Sequence, residues 1–185
     1  MFDYSTYKLK YFFCHFQTLL IFVIFAGLTI SKFNTMQVKF YVCPRCGNLI
    51  VKFVDSGVTP VCCGAPMEEL VPNTVDAAGE KHLPALERIS DCTLRVKVGS
   101  VAHPMTPGHH IVFICMVTEN GMQVRYLDPA GEAVADFCCC KDKPVAVYEY
   151  CNLHGLWKVD YAEGQADGPK DCGCSEKKSC CCSSK

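Results

Sequence analysis

Leu94, Val96 and Val98 alternate with Arg95 and Lys97, the period-two pattern of a half-buried strand. Met122, Val124 and Tyr126 alternate with Gln123 and Arg125 in the same way. Ahead of them, Asn120-Gly121 follows the apolar run Ile111 to Val117 and is a strong hairpin-turn signal. Ala133 to Cys140 and Val145 to Tyr150 are further strand candidates. Several short strands divided by turn signals, with no helix-period segment of comparable strength, predict a β-sandwich over residues 72–161. Upstream, Asn48 to Val54 alternates weakly as a strand, and Asp55-Ser56-Gly57 reads as a turn.

A different pattern fills residues 1–35. Tyr11 to Ile30 is an apolar run without charge, near the roughly 20 residues that span a bilayer. Lys8 and Lys10 precede it and Lys32 follows, so the flanking charges choose no orientation. No small-x-small cleavage site closes the run. Three readings stand: upstream sequence from a misassigned start, with Met36 the natural beginning; a membrane anchor; or a signal peptide. The expected location is cytoplasmic, or membrane-anchored if residues 1–35 are expressed. N-terminal sequencing of the native protein decides, since a mature terminus at Met36 eliminates the anchor.

The formal net charge of -1 gives no bulk basic character for nucleic acid. The 16 cysteines change the picture more. They fit either a secreted disulfide framework or a reduced, metal-binding protein, and local spacing favours metal. In the segment 36–71, Cys43-Pro-Arg-Cys46-Gly47 is followed by Cys62-Cys63-Gly64. The x-x spacing lets two thiolates of one tight turn face a common centre, and Gly47 lets the backbone turn its amides toward sulfur. Four sulfurs so close in sequence make a tetrahedral site for zinc or for one iron, and a purely structural zinc knuckle fits the spacing equally.

Five of the six histidines fall in the second segment, in stretches marked by Pro or Gly. His82 lies in Glu80-Lys81-His82-Leu83-Pro84, His103 precedes Pro104, and His109 and His110 follow Pro107-Gly108. Cys151-Asn152-Leu153-His154 comes just after a strand candidate, and its spacing lets a thiolate and an imidazole reach one metal. Loops at one end of a sandwich are where such a site is assembled. Spacing alone leaves zinc, non-haem iron and copper open.

Together, CPRCG with VCCGAPM, then EKHLPALE, HPM, a histidine six residues after His103, and YCNLHGLWK resemble desulfoferrodoxin, the two-domain superoxide reductase family. The resemblance runs from about Met36 to Asp160. It implies a mainly β chain, with a small desulforedoxin-like metal-bound domain followed by an immunoglobulin-like β-sandwich. It assigns one iron to Cys43, Cys46, Cys62 and Cys63, and a second to equatorial His82, His103, His109 and His154 with Cys151 axial. His109 is preferred over His110 because the family pattern places the ligand just before a bulky residue that opens the strand.

The implied activity is one-electron reduction of superoxide to hydrogen peroxide, with no oxygen formed, at a ferrous centre with one open position. Cys151 would donate electron density toward bound substrate. Lys81 would attract the superoxide anion and help deliver protons, and Glu80 would take the sixth position on ferric iron. The resemblance further implies a rubredoxin-like electron donor and a homodimer. The rival reading is a non-catalytic iron electron-transfer or metal-binding protein.

Cys92, Cys115 and the run Cys138-Cys139-Cys140 read as small apolar packing residues. Residues 162–185 form a polar Cys-rich tail, expected to be disordered without metal. It reads either as a soft-metal or thiol-buffering segment or as a plain appendage. Trimming after Asp160 and assaying turnover and metal content separates the two.

Overall fold

The computed structural model describes residues 38–162, apart from Asp91 and Lys141. The expectations for residues 1–35 and for the tail beyond Ala162 lie outside the described residues. Among the described residues, no helix is long and apolar enough to cross a membrane.

The chain is mainly β, as expected. In order it forms β1 (Lys39–Val42), β2 (Leu49–Lys52), β3 (Val61–Cys62), β4 (Ala65–Pro66) and β5 (Glu68–Leu70). A single helical turn α1 (Gly79–His82) follows, then β6 (Pro84–Ser90), β7 (Thr93–Val98), β8 (Ile111–Thr118), β9 (Met122–Tyr126), β10 (Val134–Cys138), β11 (Pro144–Cys151) and β12 (Gly155–Asp160). The first part carries an antiparallel sheet of order β2-β1-β5 and the small hairpin β3-β4. The rest is a sandwich of a β10-β7-β6 sheet and a β12-β11-β8-β9 sheet.

The sandwich interior is built by the alternation visible in the sequence. Leu94, Val96 and Val98 of β7 meet Ile114 and Met116 of β8, Phe137 of β10 and Val147 of β11. Arg95 stays outside and pairs with Asp136 at 2.8 Å. Leu94 is fully buried, so Leu94→Ala should cost about 2–5 kcal/mol in urea unfolding, from lost transfer energy plus the cavity left behind.

β8 does not alternate, because both of its faces are covered. Phe113, Cys115 and Val117 point away from the sandwich interior and pack with Tyr148, Leu156 and with Val38 and Phe40 of the N-terminal part. Phe40 is 1% exposed, its ring 5.2 Å from Tyr148 and 6.2 Å from Phe113. The small metal-bearing part therefore shares a core with the sandwich.

Cys115 is buried and reduced, in keeping with a packing role. Cys92 and Cys138 differ from the expectation: each is disulfide-bonded.

Candidate metal centres

The first centre grows from two turns. Cys43 leaves β1 and the chain reverses at once, with the Gly47 amide donating to the Cys43 carbonyl at 2.9 Å and the Cys43 amide to the Asn48 carbonyl at 2.9 Å. Gly47 sits at φ +73°, where a side chain would be strained. The other two sulfurs come from the β3-β4 hairpin, whose two-residue loop is Cys63-Gly64 with φ of 53° and 72°. Positive φ at both loop residues is the type I′ hairpin geometry. Neighbouring residues must splay to reach one metal, and this turn lets them: Cys62 projects from the strand, while Cys63 is swung to the same side by its left-handed backbone.

All four sulfurs lie within 4.8 Å of one another, with Cys46–Cys62 at 3.7 Å and Cys62–Cys63 at 3.9 Å. All four are thiols, so no disulfide joins the neighbours. Backbone amides of Cys46 and Arg45 hold the Cys43 thiol down to about 7, whereas the crowding sulfurs of Cys46, Cys62 and Cys43 push Cys63 up to about 12. Four thiolates cannot share this space without a cation, which is the electrostatic signature of a metal site.

The second centre stands at one end of the sandwich. Hydrogen-bonded pairing of β11 with β12 closes on Cys151 and Gly155, leaving Asn152-Leu153-His154 as a three-residue hairpin loop with Gly155 at φ +71°. That loop brings His154 Nδ1 to 3.6 Å from Cys151 Sγ. A register shift between Tyr150 and Cys151 helps re-aim the cysteine at the strand end. His82 enters from the one-turn α1 rather than from a plain loop. His103 and His109 come from the β7-β8 connection, where Thr106 and His109 form an isolated bridge.

The four imidazoles form a closed ring of edge-on contacts. Centroids of His82–His103, His103–His109, His109–His154 and His154–His82 are 4.7, 4.6, 4.8 and 4.8 Å apart, with interplanar angles of 66–79°. Cys151 Sγ lies 3.6 Å from His103 Nε2 on this ring. Which nitrogen faces inward is set by what holds the other. His82 Nδ1 is 3.2 Å from Glu149 Oε1, and His103 Nδ1 is 2.6 Å from the Pro104 carbonyl, so each presents Nε2. His109 Nε2 is buried and has no hydrogen-bond partner, an orphan that a metal would satisfy. His110 stands apart, with its Nδ1 on the Thr106 carbonyl at 3.1 Å.

Burial disfavours charge on all four rings, taking His103 down to about 4 and lowering His82, His109 and His154. Neutral imidazoles are what a metal needs. Burial also raises the Cys151 thiol, and a cation beside it would reverse that balance. Donor atoms of His82, His103, His154 and Cys151 all lie within 4.8 Å of one another, and His109 closes the ring through its contacts with His103 and His154, a set that fits one metal.

Glu80 and Lys81 are exposed on α1, beside His82. The turn after β7 braces this segment. Val101 donates its amide to the Glu80 carbonyl at 3.0 Å, Ser100 Oγ donates to the same oxygen at 3.2 Å, and the Gly99 amide donates to Leu83 at 3.1 Å. A methyl group on Gly99, at φ +77°, would lie 2.7 Å from the Lys81 carbonyl. Gly99→Ala should therefore cost about 1–3 kcal/mol of backbone strain and displace the Lys81 segment. Thermal melting would read the first effect and amide hydrogen exchange in the Glu80 to Leu83 segment the second.

Four positioning residues escaped the sequence reading. Glu149 is fully buried and orients His82. Trp157 stacks on His82 at 4.9 Å and 13°, and its Nε1 donates to the His154 carbonyl at 3.1 Å. Asn152 ties the two loops together, accepting from the His110 amide at 2.9 Å and donating to the Gly108 carbonyl at 3.0 Å. Gly99 is the fourth. Asn152 and Trp157 carried a visible signal, by standing inside the YCNLHGLWK stretch.

Comparison with known proteins places these features in a family. The family model for desulfoferrodoxin matches residues 74–160. Desulfoferrodoxin of Nitratidesulfovibrio vulgaris is 42% identical over 124 residues, covering 67% of this chain and 97% of that one. Superoxide reductase of Pyrococcus horikoshii is 36% identical over 100 residues, covering 45% of this chain and 87% of that one. The crystal structure of the superoxide reductase from Treponema pallidum superposes with a TM-score of 0.58 at 31% identity, covering 67% of this chain and 98% of that chain.

Proposed function

Because the chain belongs to the desulfoferrodoxin family, whose members bind iron, we propose that it is a superoxide reductase that turns superoxide into hydrogen peroxide at its histidine–cysteine centre. The observation that carries the reading is the closed ring of His82, His103, His109 and His154 with Cys151 at 3.6 Å from two of its nitrogens. Iron bound there supplies the electron.

The chain's own residues do the rest. Glu149 and the Pro104 carbonyl fix two rings with Nε2 inward, so the donor set is organised before metal arrives. Trp157 covers the face of His82 and keeps water from it. Lys81 is the nearby cation, close enough that its charge acts on both His82 and His109. It draws the superoxide anion in and holds a proton at Nζ for the departing product. Glu80, one residue before it, would supply a carboxylate to hold the oxidised iron. Domain limits at residues 71 and 72, a second iron at the four cysteines that either relays electrons or only holds structure, a rubredoxin-like donor and a homodimer belong to the same proposal.

The deciding experiment is anaerobic purification, iron analysis and pulse radiolysis with superoxide. Stoichiometric peroxide without oxygen supports reduction, and inert ferrous protein would sink it. For Lys81→Ala we expect a lower second-order rate with a flatter salt dependence. Unchanged values would remove the steering role.

A further inference from the structure

Strands β8 and β11 run antiparallel, and the histidine ring sits where β8 begins and β11 ends. At the other end of the same strands, about 20 Å away by strand rise, lies a second group of sulfurs. Cys138 ends β10 in a disulfide. Cys140, a reduced and half-exposed thiol, holds its Sγ 3.3 Å from Cys138 Sγ. The Cys139 amide donates to the Cys92 carbonyl at 2.8 Å, which fixes the backbone between the two sulfurs. A cavity of about 490 Å³ opens beside Cys140, lined by Cys139 and Cys140, by the cations Arg88 and Lys143 and by the carboxylates Glu119 and Asp142. Arg88 donates to Cys139 Sγ at 3.5 Å and to Tyr161 at 2.8 Å.

We propose that this pole is a thiol–disulfide exchange site for a low-molecular-weight thiol, with Cys138 the attacked sulfur and Cys140 the resolving one. The cavity has room for a small thiol, and cations Arg88 and Lys143 beside carboxylates Glu119 and Asp142 suit a zwitterion carrying both a carboxylate and an ammonium group. Redox context points the same way. Nine proposed metal donors in this chain include five thiols that must stay reduced, and a disulfide in such surroundings is of the exchanging kind.

The chemistry balances without an outside oxidant. The external thiolate attacks Cys138 Sγ, a new sulfur–sulfur bond forms, and the sulfur now bonded to Cys138 leaves as a thiolate and takes a proton. Cys140, as thiolate, then attacks Cys138 Sγ and expels the external thiol. One disulfide has replaced another, and the small thiol is regenerated.

The test uses the full iron-loaded chain, kept anaerobic, with L-cysteine as probe. After alkylation under denaturing conditions, peptides are mapped by mass spectrometry. In the parent protein the Cys138–Cys140 linkage should appear and a cysteinyl adduct on Cys138 should not persist. In Cys140→Ser the adduct should accumulate at least tenfold over the parent, while Cys139→Ser behaves as the parent. Equal adduct in parent and Cys140→Ser, or none in either, overturns the proposal. So does absence of the Cys138–Cys140 linkage from the parent, which needs no variant. Superoxide is not involved, so failure here leaves the reductase reading untouched.

Discussion

Cys151→Ala is expected to lower superoxide reduction by more than about 100-fold, beyond the 10–100-fold that loss of an outer partner of a metal ligand costs. Cys151 is fully buried, and its sulfur lies 3.6 Å from His103 Nε2 and from His154 Nδ1. Removing it takes away the only sulfur of that centre among the described residues and leaves imidazole donors facing a void. Iron content should fall by the share held at this centre, while metal at Cys43, Cys46, Cys62 and Cys63 stays. Cys151→Ser separates geometry from electronics: the oxygen can still ligate, but it lacks the polarisable sulfur that pushes electron density toward the substrate. Iron analysis with pulse radiolysis reads both effects, and parental rates in Cys151→Ala would remove the cysteine from the site.

The second large effect belongs to a residue that touches no substrate. Glu149 is fully buried, and burial pushes its carboxyl up to about 9. Its Oε1 accepts from His82 at 3.2 Å, while Oε2 has no partner. Such a group costs stability in the metal-free chain, because a buried polar atom without a hydrogen bond forfeits its hydration. Its benefit is to fix the His82 ring. Glu149→Met should raise the melting temperature of the chelated protein and weaken iron binding by about 10–100-fold. Glu149→Gln, which keeps an acceptor at Oε1, should recover most of the affinity. If Glu149→Met bound iron as tightly as the parent, the orienting role would be lost.

Strand β7 was legible because one of its faces meets the core and the other meets water. Strand β8 announced itself only as an apolar run, since Phe113 and Cys115 are buried by a part of the chain that local sequence does not show. β6 and β12 went unread. β6 alternates poorly, its residues mostly half-buried, and β12 begins right after His154 with Leu156 and Trp157 buried side by side, so it has no clean alternation either. The ligand types and their loops were visible in the sequence, whereas the closing of the ring was not. Glu149 is a charged residue inside the strand candidate Val145 to Tyr150, and only the pairing of β11 with β8 and β12 shows that it shares the inward face with Val147 and Cys151. The Cys62-Cys63 pair is unusual as ligands because neighbours must splay to reach one metal, and the turn that relieves this depends on a left-handed Cys63, a conformation no propensity argument selects.

The seating of Phe40 among Phe113 and Tyr148 bears on how this chain could be shortened. A gene cut at residue 72 would keep every histidine of the second centre and still yield a sticky product. The excision would leave a greasy scar over Phe113, Tyr148 and Leu156 in the middle of the four-stranded sheet. A single-iron descendant of this protein would have to rewrite that face in polar residues before it could live alone. The two metal-binding parts are one piece of carpentry.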